Sequence, residues 1–455
     1  MFLTVILLNM KINIPQKAEH IISLLEAAGY KAYIVGGCVR DALLGIEPHD
    51  WDICTNALPQ QTKAALEAAG VHTFDTGIKH GTVSALVEDE LFEVTTFRSE
   101  GKYSDGRHPD NVEFIDSIEG DLCRRDFTVN AMAYNSQAGL VDICGGQADL
   151  QNNLLRCVGN AHERFAEDAL RILRALRFAA IYGFEIDEEC KCAIHEDKEL
   201  LDNIARERIR DELLRLICGD NAQDILLEYS DVFGQIIPQL KPMFGFDQHN
   251  KYHKYDVWEH CVRALGYSVP DQYIRFTLLV HDIGKPHVFF MDDEGCGHFY
   301  GHPQAGEPIA REVCKSLKMP NAITDEICEL VLHHDRVISL SARAMRRLIL
   351  KLGVFRMHQL MEVRACDALA HSDLKLKENL IHHNKVCELF EQTLASMNAF
   401  SLRDLNVSGK DIIALGIDAG PEVGKILKKL LAAVTDEKVP NEHCALLSYA
   451  KKLIS

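Results

Sequence analysis

The sequence has no apolar run of the length that a membrane-spanning helix needs, about 20 residues, and no C-x-x-C pair of cysteines. The apolar run in the opening segment MFLTVILLNM is far too short to cross a bilayer. This segment also lacks a basic start and a small-residue cleavage site, so a signal peptide is not expected. We expect translation to start at Met10, because an amphipathic helix begins soon after it.

The 15 cysteines are scattered and odd in number, and only Cys190 and Cys192 lie close together. This usage excludes a disulfide framework and a zinc ribbon. It indicates reduced thiols, mostly buried as small apolar side chains, in a cytoplasmic protein. The sequence also has no low-complexity segment and no repeat of fixed period, which excludes a repeat architecture.

Positive charge is in the minority, with 49 Lys and Arg against 67 Asp and Glu and a net charge of −18. A polyanionic partner such as RNA would therefore need a locally basic face. With 455 residues, 47% of them hydrophobic, the chain is too long for one core. It is expected to form two to four packed domains and no membrane segment.

The hydrophobic patterns predict an α+β protein. Strands are expected at residues 31–36, 50–54, 82–87, 91–97 and 112–115. From about residue 141 the pattern is almost wholly helical, with helices at 163–181, 206–218, 222–232, 257–266, 272–282, 306–317, 323–334, 341–351, 356–370, 375–396 and 422–433. Prolines and glycines between residues 234 and 245 mark a boundary. We predict a head with a small mixed sheet at 10–140, a helical neck at 141–235, a third helical domain at 245–375 and a helical tail at 376–455.

The segment from Ile34 to Asp52 carries the most chemistry. The glycines of its GG pair have no Cβ, so a triphosphate can lie against their backbone N–H groups. Arg40 offers a fork of donors to phosphate oxygens. If Asp50 and Asp52 lie in a strand, both carboxylates point to one face about 7 Å apart, which suits Mg²⁺ ions that activate a hydroxyl group. Each part alone is common in turns and solvated loops; the ordered combination indicates nucleotidyl transfer.

Two further motifs are rich in arginine. In RRDFTVNA, Arg124 and Arg125 could clamp phosphates and Asn130 could hold a sugar, although a capping network at the start of a helix over 128–135 explains the same residues. In EDALRILRALR, Asp168 and three arginines step by three along a predicted helix, with leucines on its buried side.

The second motif suggests a selector of bases. A carboxylate beside a guanidinium matches the donor and acceptor that cytosine and adenine present on their Watson–Crick edges, and it mismatches uracil and guanine. A solvated charged face is the alternative interpretation, because such pairs contribute only a few tenths of a kcal/mol each.

Together, the motifs GGCVRDALLG with DWD, EVTTFR, RRDFTVNAMA and EDALRILRALRF resemble the class II tRNA nucleotidyltransferases, which are the CCA-adding enzymes, and their bacterial poly(A) polymerase relatives. The resemblance covers about residues 34–215. It implies a β-polymerase-like nucleotidyltransferase head that adds C, C and A to the 3′ end of tRNA. The reaction would use CTP, ATP and Mg²⁺ and release pyrophosphate.

The resemblance also implies roles for single residues. Asp50 and Asp52 would be catalytic and bind Mg²⁺, and Glu93 would be a third carboxylate, unless it is only a glutamate of an edge strand. The residues implied to bind nucleotide are Gly36, Gly37, Arg40, Arg125, Asp168, Arg171, Arg174 and Arg177.

Two features favour CCA addition over the activities of relatives. The stretch DTGIKHGTVSAL lacks the basic signature of the family's poly(A) polymerases, and RSEGKYSDGRHPDN (98–111) fills the position of the flexible loop that CC-adding relatives lack. A poly(A) or A-only polymerase remains the alternative activity.

A separate set of residues follows the order H…HD…H…HH…D and resembles the HD phosphohydrolase superfamily over about 250–375. Its members are His260, His281, Asp282, His302, His333, His334 and Asp367. The resemblance implies that His260, His281, Asp282 and Asp367 hold one divalent metal (Mn, Fe, Co, Ni or Mg). A second metal would take His302 and one of His333 and His334, and Lys285 would contact phosphate.

Such a domain would hydrolyse a phosphate ester, such as a damaged or cyclic RNA end or a nucleotide. A histidine on an apolar helix is, however, usually only a core residue. A different class of function also stays open, in which this hydrolase is the main activity and the head only binds nucleotide or RNA.

Overall fold

The computed structural model describes residues 11–78, 81–100, 112–396 and 402–454. It divides into two compact units, Met1–Ile236 and Ile237–Ser455. Among the described residues, no helix is both long and apolar enough to cross a membrane. The start site expected at Met10 and most of the loop at 98–111 lie outside the described residues.

The first unit combines a sheet with helices. Its strands are β1 (Ala32–Val35), β2 (Ile53–Thr55), β3 (His72–Gly77), β4 (Thr82–Val87), β5 (Glu90–Thr96), β6 (Arg98–Glu100), β7 (Val112–Phe114), β8 (Ala133–Asn135), β9 (Gly139–Val141), β10 (Leu154–Leu155) and β11 (Glu185–Ile186). Its helices are α1 (Gln16–Ala27), α2 (Gly37–Leu43), α3 (Pro59–Ala68), α4 (Ile118–Cys123), α5 (Gly146–Gln151), α6 (Ala161–Glu167), α7 (Leu170–Tyr182), α8 (Glu188–Glu196), α9 (Arg206–Leu216), α10 (Ala222–Glu228) and α11 (Ser230–Ile236).

Seven strands form one mixed sheet in the order β3-β4-β5-β2-β1-β8-β9. The pairing of β2 with β5 is parallel, and the other pairings along this sheet are antiparallel. Ile34, Ile53 and Val94 on the three central strands are buried, so this face of the sheet carries the core. The predicted α+β class with a mixed sheet in the head is therefore confirmed.

The second unit is mainly helical. Its helices are α12 (Val257–Gly266), α13 (Gln272–Val280), α14 (Lys285–Val288), α15 (His302–Ser316), α16 (Asn321–His333), α17 (Ala342–Leu352), α18 (Val354–Ala370), α19 (Asp373–Ser396), α20 (Gly409–Ile413), α21 (Pro421–Thr435) and α22 (His443–Ile454). A short hairpin of β12 (Phe290–Met291) and β13 (Gly297–His298) lies between α14 and α15. The helices bury two apolar clusters, one around Met345, Leu360 and Phe390 and one around Ile412, Leu430 and Leu446.

Two predicted elements differ at the residues that carry chemistry. The strand predicted at 50–54 begins only at Ile53, so Asp50 and Asp52 lie just before it. The helix predicted at 163–181 is broken into α6 and α7, because Asp168 has extended backbone angles (φ −144°, ψ 102°). The Asp168 carboxylate accepts a hydrogen bond from the Leu170 N–H (3.0 Å), which starts the second helix.

Gly219 allows the α9–α10 connection to lie against the end of α7, where the Asn221 N–H donates to the Ala180 carbonyl (2.9 Å). A Cβ at Gly219 would collide with that carbonyl oxygen. We expect Gly219→Ala to lower the free energy of unfolding by about 1–3 kcal/mol. Thermal unfolding checks this against Gly424→Ala in α21, where a Cβ meets nothing within 4 Å. Equal melting temperatures for the two variants would contradict the role of Gly219.

Candidate active site and candidate metal centre

Three carboxylates lie together at the β2–β5 pair, two just before β2 and one within β5. Ile53 pairs with Val94 in the parallel β2–β5 ladder, so the preceding residues, Asp52 and Glu93, are neighbours across the two strands. Ile53 and Val94 are buried, whereas Asp52 and Glu93 are exposed on the opposite face, as strand alternation requires. Asp50, two residues before Asp52, is also exposed.

The electrostatics of Asp52 reflect this crowding. Its pKa is raised above the usual range, first by desolvation, although the residue keeps solvent contact, and then by the negative charge of Glu93. Arg125 acts in the opposite direction, and Asp50 adds to the rise. Clustered carboxylates suit a divalent cation, because its positive charge offsets the repulsion between them.

The double glycine begins α2, and Arg125 lies directly against it. Gly36 has a positive φ of 82°, and a Cβ there would lie 2.8 Å from Arg125 Nη1. Arg125 pairs with Asp121 (3.3 Å), while its Nε is buried without a hydrogen-bond partner. A guanidinium beside the glycine backbone fits the predicted phosphate contact, and the positive φ and this close approach require glycine at position 36.

Arg40 is predicted to bind nucleotide, but here it is buried and its donors are engaged. Its Nη1 donates to Asn130 Oδ1 (2.6 Å) and its Nη2 to the Tyr182 hydroxyl (2.7 Å). Its Nε donates to Asp41 (2.9 Å), and the guanidinium lies 4.5 Å from the Tyr182 ring centroid. Arg40 therefore links α2 to Tyr182 of α7 and to Asn130, and these contacts hold the start of α2 in place.

The segment after the arginine pair forms a short 3₁₀ turn, Thr128–Asn130, followed by β8, and not the helix over 128–135 that the alternative interpretation required. Asp126 is buried and binds Arg174 through two hydrogen bonds (2.9 and 2.5 Å). Burial alone raises the pKa of Asp126, but Arg174 outweighs it and lowers the pKa to about 2. This ion pair ties α7 to the segment that carries Arg125.

The predicted selector residues do not form one row on one helix, because Asp168 lies in the break before α7. Asp168 is bound by Arg208 of α9 through two hydrogen bonds (2.7 and 3.3 Å). Arg171 pairs with Glu167 and donates to the Arg164 carbonyl (3.0 Å). The adjacent carboxylate and guanidinium of the prediction therefore face other partners in this structure.

The sequence interpretation missed these partners. Arg208 lies 40 positions after Asp168, and no spacing rule joins them. Glu167 directly precedes Asp168 in the motif and is four residues before Arg171, so spacing on a helix could have predicted that pair. Arg177 likewise pairs with Glu212 of α9 (2.6 Å). Its guanidinium also lies 4.2 Å from the ring centroid of Phe178.

In the second unit, four of the predicted metal-binding side chains, all histidines, converge on the buried carboxylate of Asp282. His260 Nε2 and His281 Nε2 lie 3.4 and 3.3 Å from its Oδ2. His302 Nε2 and His334 Nε2 lie 3.2 and 3.5 Å from its Oδ1. Asp367 Oδ1 lies 3.0 Å from His260 Nε2. Together with His371, these side chains form three overlapping groups with the geometry to hold a metal ion. The His/Asp cluster below means these six side chains: His260, His281, Asp282, His302, His334 and Asp367.

Three of these histidines are held in the same way. The Nδ1 atoms of His281, His302 and His334 lie 2.7, 3.0 and 2.7 Å from the backbone carbonyl oxygens three residues earlier. A carbonyl only accepts, so Nδ1 carries a proton and Nε2 faces the cluster, which is the orientation of histidines that bind metals. His302 Nε2 and His334 Nε2 lie 3.1 Å apart, so a proton or a cation must separate the two lone pairs.

Charge in the cluster is balanced by burial and by Lys285. Burial lowers the pKa of His260 to about 4, which favours the neutral imidazole that binds metals. Burial raises the pKa of Asp282, but Lys285 (2.6 Å away) and His281 outweigh it and hold that pKa well below its usual range. Burial lowers the pKa of His281, but Asp282 outweighs it and raises that pKa, so a cation would displace a proton there.

The structure separates the two adjacent histidines. His334 belongs to the cluster, whereas His333 accepts from Lys351 Nζ (3.1 Å) and is in none of the metal-compatible groups. Of the two histidines that the sequence left open, His334 is therefore the candidate ligand. His371 was missed: its Nδ1 lies 3.5 Å from Asp367 Oδ1, and it joins one of the metal-compatible groups. Its spacing of four residues from Asp367 on a helix was the available signal.

Three family models match the chain. The model described as Poly A polymerase head domain matches residues 32–156. The model for a probable RNA and SrmB-binding site of polymerase A matches residues 183–244. The model for a putative domain 2 of tRNA nucleotidyltransferase matches residues 304–450.

The similarity to known proteins covers nearly the whole chain. The chain is 31% identical over 442 residues to the CCA-adding enzyme of Enterococcus faecalis, which covers 96% of each chain. It is 33% identical over 448 residues to that of Limosilactobacillus reuteri, again 96% of each chain. The crystal structure of the Bacillus stearothermophilus CCA-adding enzyme in complex with CTP superimposes with a TM-score of 0.73 at 29% identity, covering 96% of this chain and 97% of that one. The chain therefore belongs to the family of CCA-adding enzymes, the tRNA nucleotidyltransferases related to poly(A) polymerases.

Proposed function

We propose that this protein adds C, C and A in turn to the 3′ end of tRNA, using CTP and ATP and releasing pyrophosphate. The observation that carries the proposal is the exposed set of carboxylates formed by Asp52, Glu93 and Asp50 at the parallel β2–β5 pair. The relatives bear the name of that activity, and the Bacillus relative binds CTP.

In this proposal Asp50 and Asp52 hold Mg²⁺, with Glu93 as the third carboxylate. When bound, the cation would supply positive charge that stabilises the transferred nucleotidyl group and the leaving pyrophosphate. Arg125 binds the triphosphate beside Gly36 and Gly37, because its guanidinium already lies against that backbone. Arg40, held by Asn130 and Tyr182, keeps α2 in place.

The base is read by Asp168 and Arg171. Each must exchange a partner, because Asp168 is bound by Arg208 and Arg171 by Glu167. Both ion pairs are partly buried, so the nucleobase must offer hydrogen bonds of matching polarity to replace them. Cytosine and adenine do so, whereas uracil and guanine leave buried donors facing donors. Arg174 and Arg177 lie further along α7 and contribute to triphosphate binding.

The test is the product made from tRNA that ends at the discriminator base. With CTP and ATP together, we expect CCA to be added, and with ATP alone no addition. Sequencing of the product separates the alternatives, since a poly(A) polymerase extends this tRNA with ATP alone. An A-only enzyme is identified by extension with ATP only of a tRNA that already ends in CC. Absence of any addition would favour a head that only binds nucleotide or RNA.

Asp168→Ala is expected to relax base choice by at least roughly tenfold, measured as the ratio of kcat/KM for CTP to that for UTP, with a smaller change in the KM for CTP. Loss of the carboxylate leaves Arg208 free and removes one half of the matched pair, and unpaired buried polar groups are the source of such discrimination. Incorporation of each of the four nucleoside triphosphates is measured separately. Asp197→Ala, in the loop after α8, is the control. If Asp168→Ala still excludes UTP and GTP as the wild type does, bases are selected elsewhere.

We further propose four functional segments. These are the nucleotidyltransferase head at 10–140, the neck with the nucleotide-selecting residues at 141–235, the domain that carries the His/Asp cluster at 245–375, and an RNA-contacting tail at 376–455. The match of a polymerase RNA-binding model to residues 183–244 supports an RNA-binding role for the neck.

A second activity, metal-dependent hydrolysis of a phosphate ester, is proposed for the His/Asp cluster. The observation in its favour is the convergence of the Nε2 atoms of His281, His302 and His334 on Asp282. A divalent cation of the Mn, Fe, Co, Ni or Mg type would supply positive charge to the phosphoryl oxygens there. Lys285 lies beside Asp282 and lines the same cavity, so it is placed to bind the phosphate.

A further inference from the structure

A cluster of aromatic rings lies at the rim of the cavity that contains the His/Asp cluster. Phe290 and His298 are paired across the β12–β13 hairpin, and Tyr300 follows two residues after His298, so all three lie on one face. Ring centroids are 5.2 Å apart for Phe290 and His298 and 5.4 Å for His298 and Tyr300, at interplanar angles of 25° and 18°. We call Phe290, His298 and Tyr300 the aromatic shelf.

The shelf is open to solvent. Tyr300 is 74% exposed and Phe290 is 46% exposed. Large flat rings stacked on one another and open to solvent offer a face to a planar ligand.

The shelf is held rigidly. Asp292 Oδ2 lies 2.6 Å from His298 Nε2, and its Oδ1 accepts from the N–H groups of Glu294 (3.0 Å) and Cys296 (2.8 Å). Asp292 thus closes the hairpin turn and orients the His298 ring. Since its oxygens are already engaged in this way, we assign Asp292, Cys296 and His298 to holding the shelf and not to binding a metal.

The hairpin is also fixed relative to the His/Asp cluster. A Cβ at Gly297 would collide with the Gln248 carbonyl, so β13 packs directly on the segment before α12. The Gly297 N–H donates to the His249 carbonyl (2.8 Å). Gln248 in turn accepts from Lys285 Nζ (2.9 Å), and Lys285 contacts Asp282. One chain of contacts therefore joins the shelf to the proposed phosphate-binding lysine and the cluster.

His298 and Tyr300 of the shelf line one cavity of about 290 Å³ together with Lys285, Asp282 and His302. Phe290 lies behind these two rings, outside the residues that line the cavity. This volume lies near the lower end of small-molecule sites, about 300–1,000 Å³. We propose that the aromatic shelf stacks the nucleobase of the substrate while its phosphate lies at Lys285 and the His/Asp cluster. The ligand is a nucleobase joined through ribose to a phosphate ester, from a free nucleotide or from an RNA end.

The two ends of the cavity match the two ends of a nucleotide. A cationic side chain and metal-compatible ligands at one end suit a phosphate, and stacked rings at the other suit a base. Stacking tolerates any base, because every base has a π-face. This inference rests on the hydrolase proposed above and narrows its substrates from phosphate esters in general to nucleotides and RNA ends.

The test measures binding at Tyr300 itself. The full-length protein is labelled with fluorotyrosine, and the Tyr300 resonance is identified by its loss in Tyr300→Phe. Adenosine 3′-monophosphate is expected to shift this resonance upfield through the ring current of the stacked base, and glycerol phosphate, which has no base, is not. A short oligoribonucleotide with a 3′-phosphate tests the RNA source in the same way. No shift with either nucleotide ligand would overturn the proposal.

Affinity and hydrolysis provide the second readout. Tyr300→Ala is expected to weaken the binding of adenosine 3′-monophosphate to this site by roughly 5- to 150-fold, while binding of glycerol phosphate is unchanged. Tyr300→Phe keeps the ring and should retain affinity. Phe355→Ala, at another exposed ring of the second unit (67% exposed), is the matched control.

Failures of the two proposals are distinguishable. An upfield shift without hydrolysis of any phosphate ester supports the shelf and contradicts the hydrolase. Hydrolysis at equal kcat/KM for adenosine 3′-monophosphate and glycerol phosphate, without a shift at Tyr300, supports the hydrolase and overturns the shelf.

Discussion

Asp52→Ala is expected to lower the rate of nucleotide addition to tRNA by roughly a thousandfold or more, with the fold intact. A divalent cation contributes several kcal/mol of stabilisation to the transition state, and 1.4 kcal/mol corresponds to a factor of ten. Asp52 lies beside Glu93 in the parallel β2–β5 ladder, and desolvation, then the carboxylates of Glu93 and Asp50, raise its pKa. Removing it takes away the carboxylate at the centre of this set.

The measurement is incorporation of labelled CTP into tRNA that lacks CCA. Asp50→Ala is expected to behave like Asp52→Ala, and Glu93→Ala to show a smaller loss if it only supports the other two. Asp89→Ala is the matched control, because Asp89 is an exposed acid in the β4–β5 turn of the same sheet. Since Asp52 is exposed, its replacement leaves the core unchanged, and melting temperatures check this. Near-wild-type incorporation by folded Asp52→Ala would remove the proposed metal site from the head.

His334→Ala is expected to lower both metal content and hydrolysis of phosphodiesters by at least roughly a hundredfold. Replacing even a residue that only hydrogen-bonds to a metal ligand typically lowers metal affinity or activity 10- to 100-fold. His333→Ala, one residue earlier on the same helix end, is expected to leave both unchanged. His334 Nε2 lies 3.1 Å from His302 Nε2 in the cluster, whereas His333 contacts Lys351. Because the two histidines are adjacent, the His333→Ala variant controls for metal that any histidine in this region would bind nonspecifically.

Metal content is read by mass spectrometry of the purified protein, and hydrolysis on a generic phosphodiester and on 2′,3′-cyclic nucleotides with Mn²⁺, Ni²⁺ or Mg²⁺. Nucleotide addition to tRNA should stay within a few-fold of wild type in His334→Ala, because the carboxylates of the head share no residue with the cluster. Equal metal content in both variants would contradict the assignment of His334. Loss of nucleotide addition in a well-folded His334→Ala would show that the cluster serves the first activity.

The nucleotidyl-transfer motif and most helices could be predicted from the spacing of residues close in sequence. The double glycine with its arginine and the D-x-D pair lie within 19 residues, from Ile34 to Asp52, and short-range spacing survives folding because backbone geometry limits where such side chains can point. The helical pattern after residue 141 was readable for the same reason, since apolar periodicity reports which face is buried. The resemblance to class II nucleotidyltransferases rested on these motifs, and the comparisons confirm the family.

Tertiary structure alone decided which partners meet. Asp168 binds Arg208 and Arg40 binds Asn130, pairs separated by 40 and 90 positions, and no local rule selects one distant residue among many of the same charge or polarity. The break of the predicted helix at Asp168 has the same origin, because tertiary contacts of its carboxylate outweigh the weak helical preference of one residue.

The choice between His333 and His334 was also outside the reach of the sequence. Neighbouring residues on a helix point about 100° apart, so only one of them can face the cluster, and the packing of α16 against its neighbours determines which one. By itself the sequence determined the chemistry available to this protein, through residue types at short spacings. The fold decided the geometry, because side chains distant in sequence meet only when strands pair and helices pack.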